Sequence, residues 1–596
     1  MMPKASRSTK RQAAVLALLV AAVLVLIGGV SDRYLQLVIT QTLVWAAVGL
    51  AWNMIGGYAG QLSFGHAAFF GIGAYTVALG YEAGGITPWL GLAAAALLGV
   101  LSALAIGAIA FRLRGHYFAL SMLSFSMALM YLAQWAGLQE VSLPMRKEEG
   151  WKAMQFEDPR AATLIALALV VLAAAASMLI ERSRFGLRLA AIKEDESAAR
   201  AVGVRVMRNK LAALCVSGGF TAAAGGVYAV VMLVVTPEAA FGMFTSAQAL
   251  IVCLFGGLGI VWGPLIGAAV LVPLSEVLTA QLGSVLPGIQ GVLYGVAIIV
   301  TILMAPEGIY WRVMDAWNAR RTRSAPAAPE VCAAVPAPLP ARAERGEGRE
   351  LLQVQSLSRA FGGVAAVAGF SLSVRGGTVH ALIGPNGAGK TTAFNLINGF
   401  VRADSGRVIF DGTDVTGIAP EALCRLGVGR TFQTVRAFRR LSVHQNVMVG
   451  ALAHGAGAAE ASALTDRMLA LVGLSPAEAR MPANRLTSLQ LRLMELARAL
   501  ASRPRLLLLD ETLAGLGRED LPVIEAAIRR IAQGGVTVLI IEHTMHVLTR
   551  LADRMTVLDH GAVIAEGEPA RVMELPAVIE SYLGRKWCER AEHSIA

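Results

Sequence analysis

The stretch GPNGAGKTT, residues 384–392, fits the spacing G-x-x-x-x-G-K-[ST] from Gly384 to Thr391. Glycines at these places let backbone N–H groups close around phosphate oxygens. Lys390 adds a fixed positive charge for the terminal phosphates, and the Thr391 hydroxyl suits Mg²⁺. A strand pattern precedes the loop and a helical one follows it, as a nucleotide-binding loop requires. Residues 503–511, RPRLLLLDE, read as a buried strand ending in two carboxylates. Ligands collect at the carboxyl ends of strands in open α/β sheets. Asp510 is therefore expected to hold Mg²⁺ through water, and Glu511 to be the general base that activates the attacking water. A second apolar strand, VTVLIIEH at 536–543, ends on His543, within reach of a terminal phosphate. Asp–Glu pairs are common in surface turns, and single histidines are commonly structural. The leucine run before the pair and the strand ending on the histidine set these residues apart.

These groups occupy only the C-terminal part of the chain. Of 596 residues, 56% are hydrophobic and 16% charged, too apolar for a soluble protein of that length. The excess lies in 12–305, whereas 350–585 have globular composition. A helix needs about 20 apolar residues to cross a bilayer. Candidate spans fall at 13–31, 35–56, 60–80, 88–111, 117–137, 162–180, 211–235, 247–280 and 289–305. The first apolar run, Ala13–Val30, is long for a cleaved leader and reads as a span. Basic clusters after 111, 180 and 310 mark cytoplasmic loops. An even number of crossings must then separate Glu181 from Arg312. The piece 247–280, broken by GGLGIVWGP, is expected to divide, giving eight to ten spans with ten favoured. Those clusters also account for the net charge of +11, so no nucleic-acid partner is expected. Five scattered cysteines without a CxxC suggest neither a disulfide framework nor a zinc site.

Gln61, Ser63 and His66 are polar at membrane depth, where such groups face a partner helix or a solute path. Residues 183–210 mix both charge signs between two spans. They read either as a solvated loop or as a short helix docking on the nucleotide domain, with Ala198, Ala199, Ala201 and Gly203 small enough for close approach. Residues 320–350 are rich in Ala, Pro and charge, a semi-rigid tether. The expected architecture is multi-domain. An all-α polytopic membrane domain takes 1–315 and a linker 316–350; an α/β P-loop NTPase domain follows over 351–584, with a tail at 585–596.

Residues 351–584 resemble the ATPase domain of ABC transporters nearly end to end. The resemblance implies that Phe361 of RAFGG stacks on adenine, and that Gly384, Pro385, Asn386, Gly387, Ala388, Gly389, Lys390, Thr391 and Thr392 hold ATP. It implies that Gln433 of RTFQT senses Mg²⁺, the attacking water and the membrane domain, so that Thr391, Gln433 and Asp510 surround the metal. Two further stretches, GVGRTFQTVRAFRRLSVHQNVMVG (427–450) and VIESYLG (578–584), look like the ATPases for branched-chain amino acid uptake. The membrane half independently resembles the permease of that system in WNMIGGYAGQLSFGHAAFFGIGAY, RGHYFALSML (114–123), SRFGLRLAAIKEDESAARAVGV and APEGI (305–309). One motif departs. Where the family signature is LSGGQ, this chain has Thr487, Ser488, Leu489 and Gln490, and an aspartate common in the family is missing from TLAGLGRED. In such dimers each ATP lies between the phosphate loop of one domain and the signature of the other. Two unequal sites are thus implied with a different partner, and two doubtful ones in a homodimer.

The function implied is ATP-driven import of branched-chain or related hydrophobic amino acids across the inner (plasma) membrane, with the ATPase domain and tether cytoplasmic. ATP and Mg²⁺ are the implied cofactors. Membrane lipid, a second permease subunit, a second ATPase domain (a separate subunit or another copy) and an extracytoplasmic substrate-binding protein are the implied partners. Relatives of this kind also take amides, urea or organic acids, and no residue here decides among them. An exporter would carry longer cytoplasmic extensions. A non-hydrolysing regulatory subunit would have little use for Glu511 and His543.

Overall fold

The computed structural model describes residues 3–322 and 348–583, apart from 114, 146–149, 287 and 306. Residues 323–347 of the tether and the tail 585–596 lie outside the described residues. The chain divides into two compact units: residues 1–193 with 207–328, and residues 194–206 with 329–596.

The first unit is helical. Among the described residues, nine helices are long and apolar enough to cross a bilayer. A further helix, His66–Glu82, has 17 residues, at the lower limit for a crossing. The piece 247–280 does divide, into Met243–Gly256 and Trp262–Leu282. Among the described residues, four candidate spans, Val206–Met232, Pro237–Gly256, Trp262–Leu282 and Ile289–Met314, then lie beyond residue 182, the even number that the basic clusters call for. At the centre runs Arg33–Ala59, buried continuously from Leu43 to Ala59. Its Asn53 side chain reaches the break between the two divided helices. Asn53 Nδ2 donates to Ile260 O at 2.8 Å, and Gly259 N donates to Asn53 Oδ1 at 2.9 Å. Irregular backbone at membrane depth needs such internal partners, because lipid supplies none. His66 is likewise enclosed: Nε2 lies 2.8 Å from Ser217 Oγ and Nδ1 3.2 Å from Ser63 Oγ, while Ser217 Oγ donates to Ala51 O at 2.6 Å. His66 thus meets the partner helix Val206–Met232, Ser63 bonds within its own segment, and Gln61 Nε2 donates to Ala59 O at 3.1 Å.

Close helix packing explains the glycines. A Cβ at Gly73 would stand 1.8 Å from Ala222 O, and one at Gly225 would stand 2.0 Å from Phe70 O. His66–Glu82 and Val206–Met232 therefore touch backbone to backbone, the use of small residues typical of membrane helices.

The second unit is α/β. Its main sheet has the order Ala562–Gly567, Arg554–Asp559, Val379–Ile383, Thr537–Ile541, Leu506–Asp510, Val428–Arg430. All neighbours are parallel except the first pair. The central strands are continuous apolar runs because both faces are covered; Leu506–Leu509 and Val538–Ile541 are fully buried. Each such leucine contributes about 2 kcal/mol by leaving water. A four-stranded antiparallel sheet, Val364–Arg375, Glu350–Phe361, Ser405–Phe410 and Thr413–Asp414, packs over the same core through Phe370 and Phe410, which join Phe394 of the helix Lys390–Ile397 there.

Gly73→Ala is expected to destabilise the first unit by about 1–3 kcal/mol through overpacking, read as a lower melting temperature in detergent. Gly80→Ala is the control: its Cβ would meet nothing nearer than 3.9 Å, and no loss is expected.

Candidate active site

Four parallel strands, Val379–Ile383, Val428–Arg430, Leu506–Asp510 and Thr537–Ile541, release their chemistry-bearing residues at one edge of the sheet. The first leads into the phosphate loop. Gly384 (φ +153°) and Gly389 (φ +97°) adopt conformations that L side chains rarely take, and a Cβ at Gly389 would stand 2.2 Å from Ala366 O. Lys390 follows at the start of the helix Lys390–Ile397, buried, with Nζ donating to Gly384 O at 2.7 Å and Pro385 O at 2.9 Å. Burial pulls its ammonium below the usual lysine range, against the opposing pull of Glu511 and Asp510. Along the loop and into the helix, Asn386, Gly387 and Thr391 are exposed, Pro385 and Thr392 half-buried, and Ala388 buried.

The third strand ends on Asp510, and the chain turns at Glu511 with φ +47°. A non-glycine residue in the left-handed region carries roughly 1–2 kcal/mol of strain. Glu511 N donates to Ile541 O at 2.9 Å, tying two strand ends together. The Glu511 carboxylate lies between two groups from other strands: Gln433 Nε2 donates to Oε2 at 2.7 Å, and His543 Nε2 stands 3.1 Å from Oε1. Glu511 is 14% exposed and His543 40%, so a water can reach the carboxylate. The structure thus gathers Glu511, Gln433 and His543 around one point, with Lys390 and Asp510 beside it.

Asp510 is 2% exposed. Oδ2 accepts from Arg430 Nη2 at 3.0 Å, while Oδ1 is buried without a partner. A buried carboxylate oxygen left bare is what a metal-bound water would satisfy. With the Thr391 hydroxyl and the unengaged amide oxygen of Gln433 the donor set is all oxygen, which suits Mg²⁺ held by one carboxylate plus substrate phosphates.

Phe361 stands apart from this cluster, 46% exposed at the end of Glu350–Phe361, with the Arg359 guanidinium 4.9 Å from its ring centre. Thr487–Gln490 form another separate place, the N-terminus of the helix Ser488–Ala501. Gln490 N donates to Thr487 Oγ1 at 3.3 Å and Thr487 N donates to Gln490 Oε1 at 2.9 Å, a reciprocal cap. Leu489 sits in ordinary helical backbone, half-buried. The fold has no need of glycine there, so the substitution bears only on whatever faces that helix end.

Three residues escaped the sequence reading. Arg430 ends a buried strand. Arg492 donates to Phe432 O at 3.0 Å and Gln433 O at 2.7 Å, fixing the backbone that carries Gln433. Glu542 accepts from His543 N at 3.3 Å and from Leu513 N, and burial pushes its carboxyl up to about 7. A signal existed for Arg492. It shares one helix face with Glu495 and Arg498, and that face is buried.

The segment 194–206 packs within this same unit. It forms the helix Glu196–Ala201, with Asp195 Oδ1 accepting from Ala198 N at 2.7 Å. Ala198, Ala199 and Ala201 are buried, and a Cβ at Gly203 would come 2.8 Å from Ala453 Cβ. Arg200 pairs with Glu421 at 2.9 Å and Asp195 with Arg436 at 3.1 Å. Arg425 Nη1 donates to Gly203 O at 3.2 Å and Arg439 N to Glu194 Oε2 at 3.2 Å.

Residues 34–302 match the family model of the branched-chain amino acid transport system permease component, and 367–514 match that of the ABC transporter. The high-affinity branched-chain amino acid transport ATP-binding protein BraF of Pseudomonas aeruginosa is 36% identical over 252 residues, 40% of this chain and 98% of that protein. The probable branched-chain amino acid transport ATP-binding protein LivG of Archaeoglobus fulgidus is 33% identical over 254 residues, 39% of this chain and 96% of that protein. Among solved structures, a nucleotide-free ATP-binding cassette from an ABC transporter is 32% identical, with a TM-score of 0.37, covering 40% of this chain and all of that one.

Arg200→Glu and Glu421→Arg should each loosen the segment by about 0.5–1 kcal/mol. The double variant should recover most of that loss in a double-mutant cycle on thermal unfolding.

Proposed function

The chain belongs to the ABC transporter family, joining a branched-chain amino acid permease component and an ATP-binding cassette in one polypeptide, and from that premise we propose that it imports branched-chain or related hydrophobic amino acids. It is a multi-pass membrane protein and an ATPase coupled to transport, and its cassette works against a second ATPase domain. The observation that carries the proposed chemistry is the Glu511 carboxylate poised between Gln433 and His543.

ATP enters with its phosphates on the amides of 384–392, and Lys390 exchanges the loop carbonyls for phosphate oxygens. Thr391, Gln433 and Asp510 would hold Mg²⁺, which would supply positive charge against the phosphates. Glu511 takes a proton from the water that attacks the γ-phosphorus in line, and the bond to the β,γ-bridging oxygen breaks. His543 steadies both the carboxylate and the γ-phosphate. Phe361 takes the adenine. The Thr487–Gln490 helix end serves the partner domain's ATP, where Leu489 puts a side chain in place of bare backbone. Unequal ATP sites follow if the partner is a different ATPase. Closing and opening of the two domains moves the segment 194–206, and through it the helices on either side. An extracytoplasmic receptor, a second permease subunit and a place in the inner membrane, with the cassette cytoplasmic, complete the assembly.

Glu511→Gln should still bind ATP while hydrolysis and uptake fall by at least about 10²-fold, the usual worth of a general base. Full transport by that variant would remove Glu511 from its role. Leu489→Gly should raise turnover in the reconstituted complex; an unchanged rate would place the limiting step elsewhere. Titrating leucine, an aliphatic amide, urea and a short organic acid against the cognate receptor decides the solute, and binding of the first alone is expected.

A further inference from the structure

Arg430 belongs to none of the roles described above, yet it is a buried cation within the site. Its side chain is 3% exposed. It sits at the end of Val428–Arg430, three residues before Gln433, on a strand paired in parallel with Leu506–Asp510. Nη2 donates to Asp510 Oδ2 at 3.0 Å, and Nη1 donates at 2.7 Å to Asn395 Oδ1, on the helix that follows the phosphate loop. The guanidinium lies 5.4 Å from the ring centre of Phe400 and 5.3 Å from that of Phe432. Those rings and the strand leave it little freedom to turn. Arg430 Nε and Asp510 Oδ1 are both buried without partners. The pair is therefore joined through one nitrogen and one oxygen, not through a two-pronged fork.

That half-engagement has a consequence. A free carboxylate offers two equivalent oxygens. Here Oδ2 is spoken for and Oδ1 is bare, so only one oxygen is left to take a further partner. One planar cation also ties together three parts of the site: the phosphate-loop helix through Asn395, the acidic strand end through Asp510, and the Gln433 segment through its own backbone.

We propose that Arg430 is a positioning residue that fixes Asp510 through Oδ2, leaving Oδ1 for the metal-bound water, and so sets how strongly Mg²⁺ tightens nucleotide binding. This rests on the proposed reading of the site as an ATP·Mg²⁺ site. Partners that orient a ligating carboxylate typically contribute about 10–100-fold in metal affinity.

The test uses the full chain in detergent and reads binding rather than turnover. The dissociation constant of a fluorescent ATP analogue is measured with Mg²⁺ and with chelator, for the parent, Arg430→Gln, Arg430→Lys, Asp510→Asn and the double variant Arg430→Gln/Asp510→Asn. The parent should bind more tightly with Mg²⁺. Arg430→Gln should lose about tenfold or more of that gain while its affinity in chelator stays within a factor of about three. Arg430→Lys, which keeps the charge, should recover part of it. Where Asp510 is already Asn, Arg430→Gln should remove nothing further. Full Mg²⁺ tightening in Arg430→Gln overturns the inference. So does an equal loss with and without Mg²⁺, which would mean a purely structural arginine. If Arg430→Gln does not fold, Arg430→Lys decides alone: a gain equal to the parent's overturns the inference, and a partial gain supports it. A parent that shows no Mg²⁺ tightening at all sinks the ATP·Mg²⁺ reading itself, and the inference with it.

Discussion

Asp510 and Glu511 terminate a strand whose preceding four leucines are fully buried, and the rest of the nucleotide unit is arranged around keeping both carboxylates usable in that place. Burial raises the pKa of Asp510, and the Arg430 guanidinium opposes the rise. Glu511 turns out of the strand in a left-handed conformation, where it meets Gln433 and His543 instead of the core. Two adjacent acids thus have different surroundings, and that difference allows them different roles. One is buried with a single unpartnered oxygen; the other is partly exposed between an amide and an imidazole.

The support for this edge comes from charged residues where a core would ordinarily be apolar. Glu495 is enclosed between Arg492 and Arg498, and burial lifts its carboxyl to about 7 despite both arginines. Arg492 holds the carbonyls of Phe432 and Gln433, and Arg498 Nη1 donates to Arg436 O at 2.7 Å. Arg436 in turn pairs with Asp195 of the segment 194–206. A continuous set of charge-assisted contacts therefore runs from the Gln433 backbone to the docked helix inside one compact unit. Such contacts favour discrete arrangements over gradual deformation, because a buried charge without its partner is costly.

In the helical unit the same need for internal satisfaction takes another form. Asn53 closes off the break at 257–261, and Ser217, Ser63 and His66 close off one another. Polar side chains there serve backbone and each other, while glycines bring helices into contact at van der Waals distance or nearer than a Cβ would permit. The polarity of Asn53, Ser63 and His66 has an architectural use in these contacts.

The sequence by itself determined the membrane and nucleotide halves, the phosphate loop, the acidic strand end and the altered signature, because each is written in contiguous residues: apolar length, glycine spacing, a leucine run before two acids. The division of 247–280 was legible for the same reason, from its glycines and the parity of basic loops. What only the tertiary structure decided were relations between residues far apart along the chain. Arg430 was invisible because nothing in VGR says that Asp510 lies across a strand pair, 80 residues on. The two readings of 183–210 could be separated only by Glu421 and Arg436 arriving from more than 200 residues away. His66 gained a named partner only when packing brought Ser217 within 2.8 Å of it. Local pattern fixes what each segment can be; which charges and hydroxyls meet is settled by packing, where one partner's cost of burial is relieved by the other.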